Sequence, residues 1–371
     1  MSIPLYKPFV DRETVVGVKR ALFSRKLSRG LEVSGFEKKF AAYVGKKYAV
    51  SLNSGTSGLH VAVRAMKWGK GSEVITTSFS YVASANCLLF EGVTPIFVDI
   101  DPRTLNIDVE KIERAITPRT KGILMVHIFG FPLESQKIRT IARKYGLDVI
   151  EDACQAVGRS EKDFPVGMTG RLSVYGFHEN KQLTTGGEGG MIVTNDKKLA
   201  EVCQSMRDQG RSRLVTSNWI DGVTLGFNFR MTEIQAAYGS AQLKSIDNQL
   251  IHRQLLAKEY NRILASVPEL CLPFEKNNLK RSWFIYYVSF TDKQIREKVQ
   301  KYLSLKGIAT STNYFPPIYR FPMYSRYGRC WCENAEKAAS TILVLPIFFE
   351  MTKSDVARVC GELKKALKHL K

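Results

Sequence analysis

Lys181 stands in FHENKQLTTGGEGGMIVTND, residues 177–196, between two strand-like runs, SVYGF before it and MIVT after it, that can pair in a sheet. Glycines at 186, 187, 189 and 190 let the chain turn sharply there and come close to a neighbour. A loop lysine is ordinarily a solvated cation, so a chemical role needs partners elsewhere in the chain. Three stretches offer them. SLNSGTSGLH, residues 51–60, reads as a strand, a small turn holding Gly55, and a helix start. Backbone N–H groups and the Thr56 hydroxyl at such a start suit a phosphate, although the same pattern also makes an ordinary helix cap. VIEDACQA, residues 149–156, ends an apolar strand in Glu151 and Asp152, with Gln155 following. A carboxylate there can cap a helix, ligate a metal or face a cationic ring nitrogen. TSFSYVASAN, residues 77–86, puts Ser80 and Tyr81 at another strand-to-helix junction, where Tyr81 is either core or a flat surface for a ring.

Together these parts fit one cofactor. Pyridoxal 5'-phosphate needs a lysine for covalent attachment, an acid opposite its pyridinium nitrogen, a phosphate cup and a flat face against its ring. Lys181, Asp152, the Gly55–Thr56 turn and Tyr81 supply one of each. The attachment lysine must also shuttle a proton, which calls for the roomy glycine turn that follows Lys181.

The elements that position these residues are legible in the hydrophobic pattern. From about residue 45 to 200, short apolar runs (YAVSLN, EVIT, TPIFVDI, KGILMVHIF, LDVIED) alternate with amphipathic stretches (SGLHVAVRAMK, SYVASANCLLFEG, VEKIERAI, SQKIRTIARKYG). Continuous apolar strands joined by helices predict an α/β domain with a mostly parallel sheet covered by helices on both faces. Ligands of such sheets sit at the carboxyl ends of the strands. After NFRMTEIQAAYGSAQL the texture changes to long helical patterns over 232–265, an aromatic strand SWFIYYVSF, a helix TDKQIREKVQKYLSLKG, and a strand and Pro-rich loop in IATSTNYFPPIY. The expected division is a large domain over 1–245 and a smaller α+β domain over 246–371, with the N-terminal dozen residues packing on the latter.

Composition narrows the class. At 371 residues, 44% hydrophobic and 24% charged, the chain has the balance of a globular protein with a sizeable core. No apolar run reaches membrane-spanning length, and MSIPLYKPFVDRE lacks the apolar core of a signal peptide. A cytoplasmic location is therefore expected. Seven scattered cysteines, at 87, 154, 203, 271, 330, 332 and 360, form no disulfide framework, and no Cys/His cluster has metal-ligand spacing. The net charge of +20 raises a nucleic-acid-binding alternative. Lys and Arg are spread along the whole chain, however, and attraction of an anionic substrate needs only a local share of them.

The motifs in order resemble the DegT/DnrJ/EryC1/StrS group of fold-type-I, pyridoxal-phosphate-dependent aminotransferases, which act on sugar nucleotides. The resemblance runs from GFEKKFAAYVGKKYAV through NSGTSGLHVAV, YVASANCLLFEGVTPIFVDIDP, VIEDACQAVG and FHENKQLTTGGEGGMIVTND to LGFNFRMTEIQAA, and includes NYFPPIY. It implies Lys181 as the cofactor-attachment and proton-transfer lysine, Asp152 as the pyridinium partner, and Gln155 beside the ring. It also implies Tyr81 as the stacking aromatic and Gly55 and Thr56 as the phosphate cup. Asn228 and Arg230, in GFNFRM, match residues that reach the neighbouring subunit's phosphate, which implies a homodimer with shared active sites. The resemblance further implies transfer from L-glutamate to a keto group of a nucleotide-linked sugar. Glu188 and TTGGEGG are nearest to members that aminate 4-keto-6-deoxyhexoses, and a cyclitol ketone is the alternative acceptor. Five positions before the lysine the family usually carries a phosphate-binding serine, whereas this chain has Gly176. Looser cofactor binding, tightened by Gly176→Ser, is the expected consequence.

Overall fold

The computed structural model describes residues 2–158, 162, 166–211, 224–276, 279–327 and 331–370; Cys330 lies outside them. The large domain opens with helices α1 (Arg12–Phe23) and α2 (Leu31–Tyr43). Strand β1 (Tyr48–Leu52), α3 (Gly55–Ala65), β2 (Glu73–Thr77), α4 (Ala83–Leu89), β3 (Thr94–Val98) and β4 (Thr120–Val126) follow. Next come α5 (Ser135–Tyr145), β5 (Asp148–Asp152), β6 (Leu172–Gly176), β7 (Gly190–Thr194) and α6 (Lys197–Arg207). The 32-residue α7 (Glu233–Leu264) leads to β8 (Tyr286–Ser289), α8 (Lys293–Leu305), α9 (Glu333–Thr341), β9 (Ile342–Leu345) and α10 (Lys353–Lys368).

The seven-stranded sheet has the order β1-β7-β6-β5-β4-β2-β3. β7 pairs antiparallel with both β1 and β6, and the remaining pairings are parallel. Because side chains alternate along a strand, each apolar run covers two cores. Leu124, Ile150, Val174 and Ile192 pack against α3, α4 and α6. Their neighbours in sequence face the other way, Ile123 and Val149 towards α5 and Tyr175 and Met191 towards α2 and the first half of α7. Both faces are covered, which explains why these strands read as continuous apolar runs rather than alternating ones.

α7 runs unbroken through residue 245. Ala236 and Ile246 belong to the core beneath α2, whereas Leu256, Ala257, Tyr260 and Leu264 belong to the core around β8, β9, α8 and α10. A capping box of Thr232 and Gln235 starts the helix, each side chain reaching the other's backbone N–H. The N-terminal segment lies along the smaller unit: Ile3 N–H donates to Gly307 O at 2.8 Å, Ala309 N–H to Ile3 O at 3.0 Å, and Lys7 pairs with Glu350 at 2.9 Å.

Two expected elements differ. VEKIERAI is not an α-helix but two 3-10 turns, Val109–Lys111 and Glu113–Ala115. The stretch is short, and Thr117 precedes Pro118, which bars the helical region and stops propagation. IATST is not a strand either; it makes isolated bridges, Ile3 with Ile308 and Ser311 with Val344 on the edge of β9 away from β8.

Candidate active site

The carboxyl ends of β1, β2, β5 and β6 and the start of the reversed β7 meet at one edge of the sheet, where a cavity of about 480 Å³ opens. Gly55 and Thr56 sit at the N-terminus of α3, with Ser54 as its cap accepting from Ser57 N–H at 3.0 Å. The N–H groups of this first turn and the positive end of the helix dipole make this end of the cavity receptive to an anion. The turn after β2 brings Ser80 and Tyr81 to the wall; Tyr81 is 60% exposed and presents its ring to the opening.

The two acids that end β5 separate by strand alternation. Asp152 continues the face of Ile150 and reaches the cavity. Ser84 Oγ donates to its Oδ2 at 2.7 Å, and Cys154 N–H to its Oδ1 at 3.0 Å. Glu151 turns to the other face and is fully buried. It accepts from His127 Nε2 at 3.0 Å, from the N–H groups of Gly167 at 2.7 Å and of Thr169 and Gly170 at 2.6 Å, and from Ser173 Oγ at 3.3 Å. His127 Nδ1 accepts from Leu133 N–H at 3.1 Å, so its proton lies on Nε2 and points at Glu151. Burial by itself would raise the pKa of Glu151, but the His127 bond and the backbone donors outweigh it and hold the carboxyl below its ordinary value.

Lys181 enters from the turn between β6 and β7, its N–H bonded to His178 O at 2.9 Å. Gly186 and Gly187 take φ of +79° and +123°, and a side chain on Gly190 would lie 2.3 Å from Ser54 O. The glycine run thus lets β7 start against the α3 turn and folds the lysine loop over it. The amino group lies 4.0 Å from the centre of the Phe284 ring. Enclosure lowers its pKa, with Cys154, Asp152 and Glu188 pulling the other way. A lysine so placed sheds its proton more readily than an exposed one, as an amine that must act as nucleophile and base requires.

Gln155 is buried at the cavity wall, its Oε1 accepting from Phe129 N–H at 2.9 Å. The NYFPPIY segment brings Asn313, Tyr314 and Phe315 to the same wall, and Tyr314 stacks on Phe129 at 5.5 Å and 22°. Tyr314, Phe284, Ser84 and His178 were given no role by reading the sequence. For Tyr314 a signal existed, a Tyr-Phe pair between a polar run and Pro-Pro; for Ser84 only its position one turn after Ser80 hints at the contact.

Asn228 and Arg230 are not among the described residues lining the cavity of their own chain. Arg230 Nη1 donates to Asp208 Oδ1 at 2.6 Å, and Arg29 and Arg211 gather round the same carboxylate at 3.7 Å. Asn228 is exposed and bridges to Asp208 through its backbone. Among the described residues Lys181 is the sole lysine or arginine of the cavity wall.

The fold is an α/β enzyme fold whose cavity gathers a lysine, an acid and a helix N-terminus. Residues 9–364 match the DegT/DnrJ/EryC1/StrS aminotransferase family, and the chain belongs to it. It is thus an aminotransferase, and pyridoxal 5'-phosphate is the cofactor of this family. Among its relatives, GDP-perosamine synthase of Caulobacter vibrioides is 39% identical, over 92% of this chain and 91% of that protein. The structure of PseC from Helicobacter pylori, an aminotransferase involved in the biosynthesis of pseudoaminic acid, superposes with a TM-score of 0.93 at 29% identity, covering 100% of both chains. That of ntda from Bacillus subtilis, with bound cofactor PMP, has a TM-score of 0.89 at 30% identity, covering 97% of this chain and 83% of that one.

Proposed function

We propose that this aminotransferase moves the amino group of L-glutamate to the keto group of a nucleotide-linked 4-keto-6-deoxy sugar, a step in amino-sugar and polysaccharide biosynthesis in the cytoplasm. The observation that carries the reading is the meeting, in one cavity, of the enclosed Lys181 amine, the anchored Asp152 carboxylate and the N-terminus of α3. The sugar-nucleotide acceptor is supported by what the relatives are named for.

In this reading Gly55, Thr56 and the α3 N-terminus bind the phosphate of the cofactor, and Tyr81 and Gln155 hold its ring. Asp152 would face the ring nitrogen and keep positive charge there, held in line by Ser84 and the Cys154 N–H. When bound, the cofactor supplies an electron sink for the pair of electrons left when a C–H bond next to nitrogen breaks. Lys181 Nζ would hold the cofactor, and its lowered pKa suits it to accept and return a proton. A homodimer completes each site, with Asn228 and Arg230 reaching the partner's cofactor phosphate. The wall of the cavity, with no lysine or arginine but Lys181 among the described residues, leaves an anionic substrate's charge for such outside groups to meet.

The test of the acceptor is mass spectrometry of a panel of nucleotide keto-sugars, and a cyclitol ketone, incubated with 15N-glutamate. Transfer of label to a nucleotide keto-sugar is expected; label only in the cyclitol overturns the proposed acceptor. The shared site is tested by mixing Lys181→Ala and Arg230→Ala chains. Recovery of activity that neither parent shows is expected, and no recovery after verified subunit exchange contradicts it.

A further inference from the structure

Gly176 reads as a cofactor pocket short of one donor, but the packing around it has a different cause. A methyl group placed on Gly176 would lie 3.2 Å from both Cβ and Sγ of Cys154. One placed on Gly55, at the head of α3, would lie 3.0 Å from the same sulfur and 3.2 Å from Gly176 Cα. All three residues line the cavity. The sulfur is fixed: Sγ–H donates to Val174 O at 3.7 Å, and Cys154 N–H is one of the two donors that hold Asp152. We propose that Cys154 and Gly176 are a coupled pair that forms the wall of the cofactor pocket beneath the α3 N-terminus. The sulfur fills the volume that a side chain at 176 would take, and the phosphate end of the cofactor rests against sulfur and bare glycine backbone.

The pairing rests on the cofactor site proposed above and deepens it. It reverses the sign expected for Gly176→Ser. A hydroxyl at 176 adds a donor, but its methylene must displace the Cys154 sulfur, and interiors resist added volume. Displacing Cys154 also drags the N–H that orients Asp152, so the damage spreads from the phosphate end to the acid. Burial and the Asp152 charge push the thiol pKa well up, with Lys181 opposing, so a neutral sulfur stands beside the phosphate and adds no repulsion. With Cys154 cut back to alanine the sulfur contact is gone and only the 3.2 Å contact to Cβ remains, so the added methylene costs less and the hydroxyl offsets more of it.

The experiment is a double-mutant cycle on cofactor retention, with four proteins: wild type, Gly176→Ser, Cys154→Ala and the double variant. Each is stripped of cofactor, checked for folding by circular dichroism and titrated with pyridoxamine 5'-phosphate by fluorescence. Gly176→Ser alone is expected to weaken binding by about tenfold, the scale of an overpacked contact. In the Cys154→Ala background the same change is expected to weaken binding clearly less, because only the Cβ contact remains. Pyridoxamine without its phosphate should show a much smaller change between the single and double variants. If Gly176→Ser does not fold, Gly176→Ala runs the same cycle: weakened binding beside Cys154, a smaller loss beside alanine. Equal effects of the residue-176 change in both backgrounds, or tighter binding by Gly176→Ser alone, overturn the pairing. Failure of wild type to bind the cofactor at all would instead overturn the cofactor site itself.

Discussion

Glu151 and Asp152 are adjacent, both acidic, both at the end of β5, and the fold gives them opposite work. Glu151 is enclosed by five donors and fastens the 167–170 segment and His127 to the sheet. Asp152, one residue on, has two donors and an open side facing the cavity. A carboxylate saturated with hydrogen bonds holds structure together. One left partly unsaturated at a cavity wall keeps capacity for a ligand. Strand periodicity alone decides which is which, since a shift of one residue exchanges the two faces.

The comparison predicts a clean split between activity and stability. Lys181→Ala should abolish turnover by roughly 10²–10⁴, the range for a lost proton-transfer group, with the fold intact. Asp152→Asn should reduce kcat by on the order of 10²–10³, the scale of a lost electrostatic contact at a reacting centre, and leave the thermal midpoint near wild type. Glu151→Gln should do the reverse. A buried N–H left facing the Gln amide instead of a carboxylate costs about 1–3 kcal/mol of stability, while kcat per folded molecule changes little. Thermal unfolding and steady-state kinetics on all three check the split; a kinetic collapse in a folded Glu151→Gln protein would break it.

Acid unfolding sharpens the same contrast. The folded pKa of Glu151 lies below its ordinary value of 4.5. Its contribution is therefore complete above that pH and is lost as pH falls from there through the folded pKa. Wild type should lose stability in that window, and Glu151→Gln should show a flatter profile there. An unchanged slope in urea titrations would contradict the anchoring role.

The smallest effects lie in one donor to each carboxylate. Ser84→Ala removes the 2.7 Å bond to Asp152 and should lower kcat by about tenfold, since a bond to a charged group is worth ~1.5–3 kcal/mol. Ser173→Ala removes the 3.3 Å bond to Glu151 and should cost about 1 kcal/mol of stability without altering kcat.

Much of this was legible in the sequence. The apolar runs at Leu124, Ile150, Val174 and Ile192 mark strands buried on both faces, and the strand–turn–helix at Gly55 marks a helix start at the cavity. The direction of β7 was not legible, because a two-residue period is the same read either way. VEKIERAI has a helical pattern whose fate was settled by its length and by Pro118. Composition alone does not separate Glu151 from Asp152, for each can cap, ligate or pair; the register of β5 is what puts Asp152 at the cavity wall and Glu151 on the other face. Cys154 and Gly176 lie 22 residues apart in the chain, so only the adjacency of β5 and β6 shows that they share one space.

The most direct test of the central claim is peptide mapping after borohydride reduction of the holoenzyme. Reduction fixes the cofactor to whichever amine carries it, and the reduced protein should lose the visible absorbance of the native form. A pyridoxyl adduct on Lys181, absent from Lys181→Ala, is the predicted result. An adduct on any other lysine, or a Lys181→Ala protein that still forms a reducible link and turns over, would contradict the account.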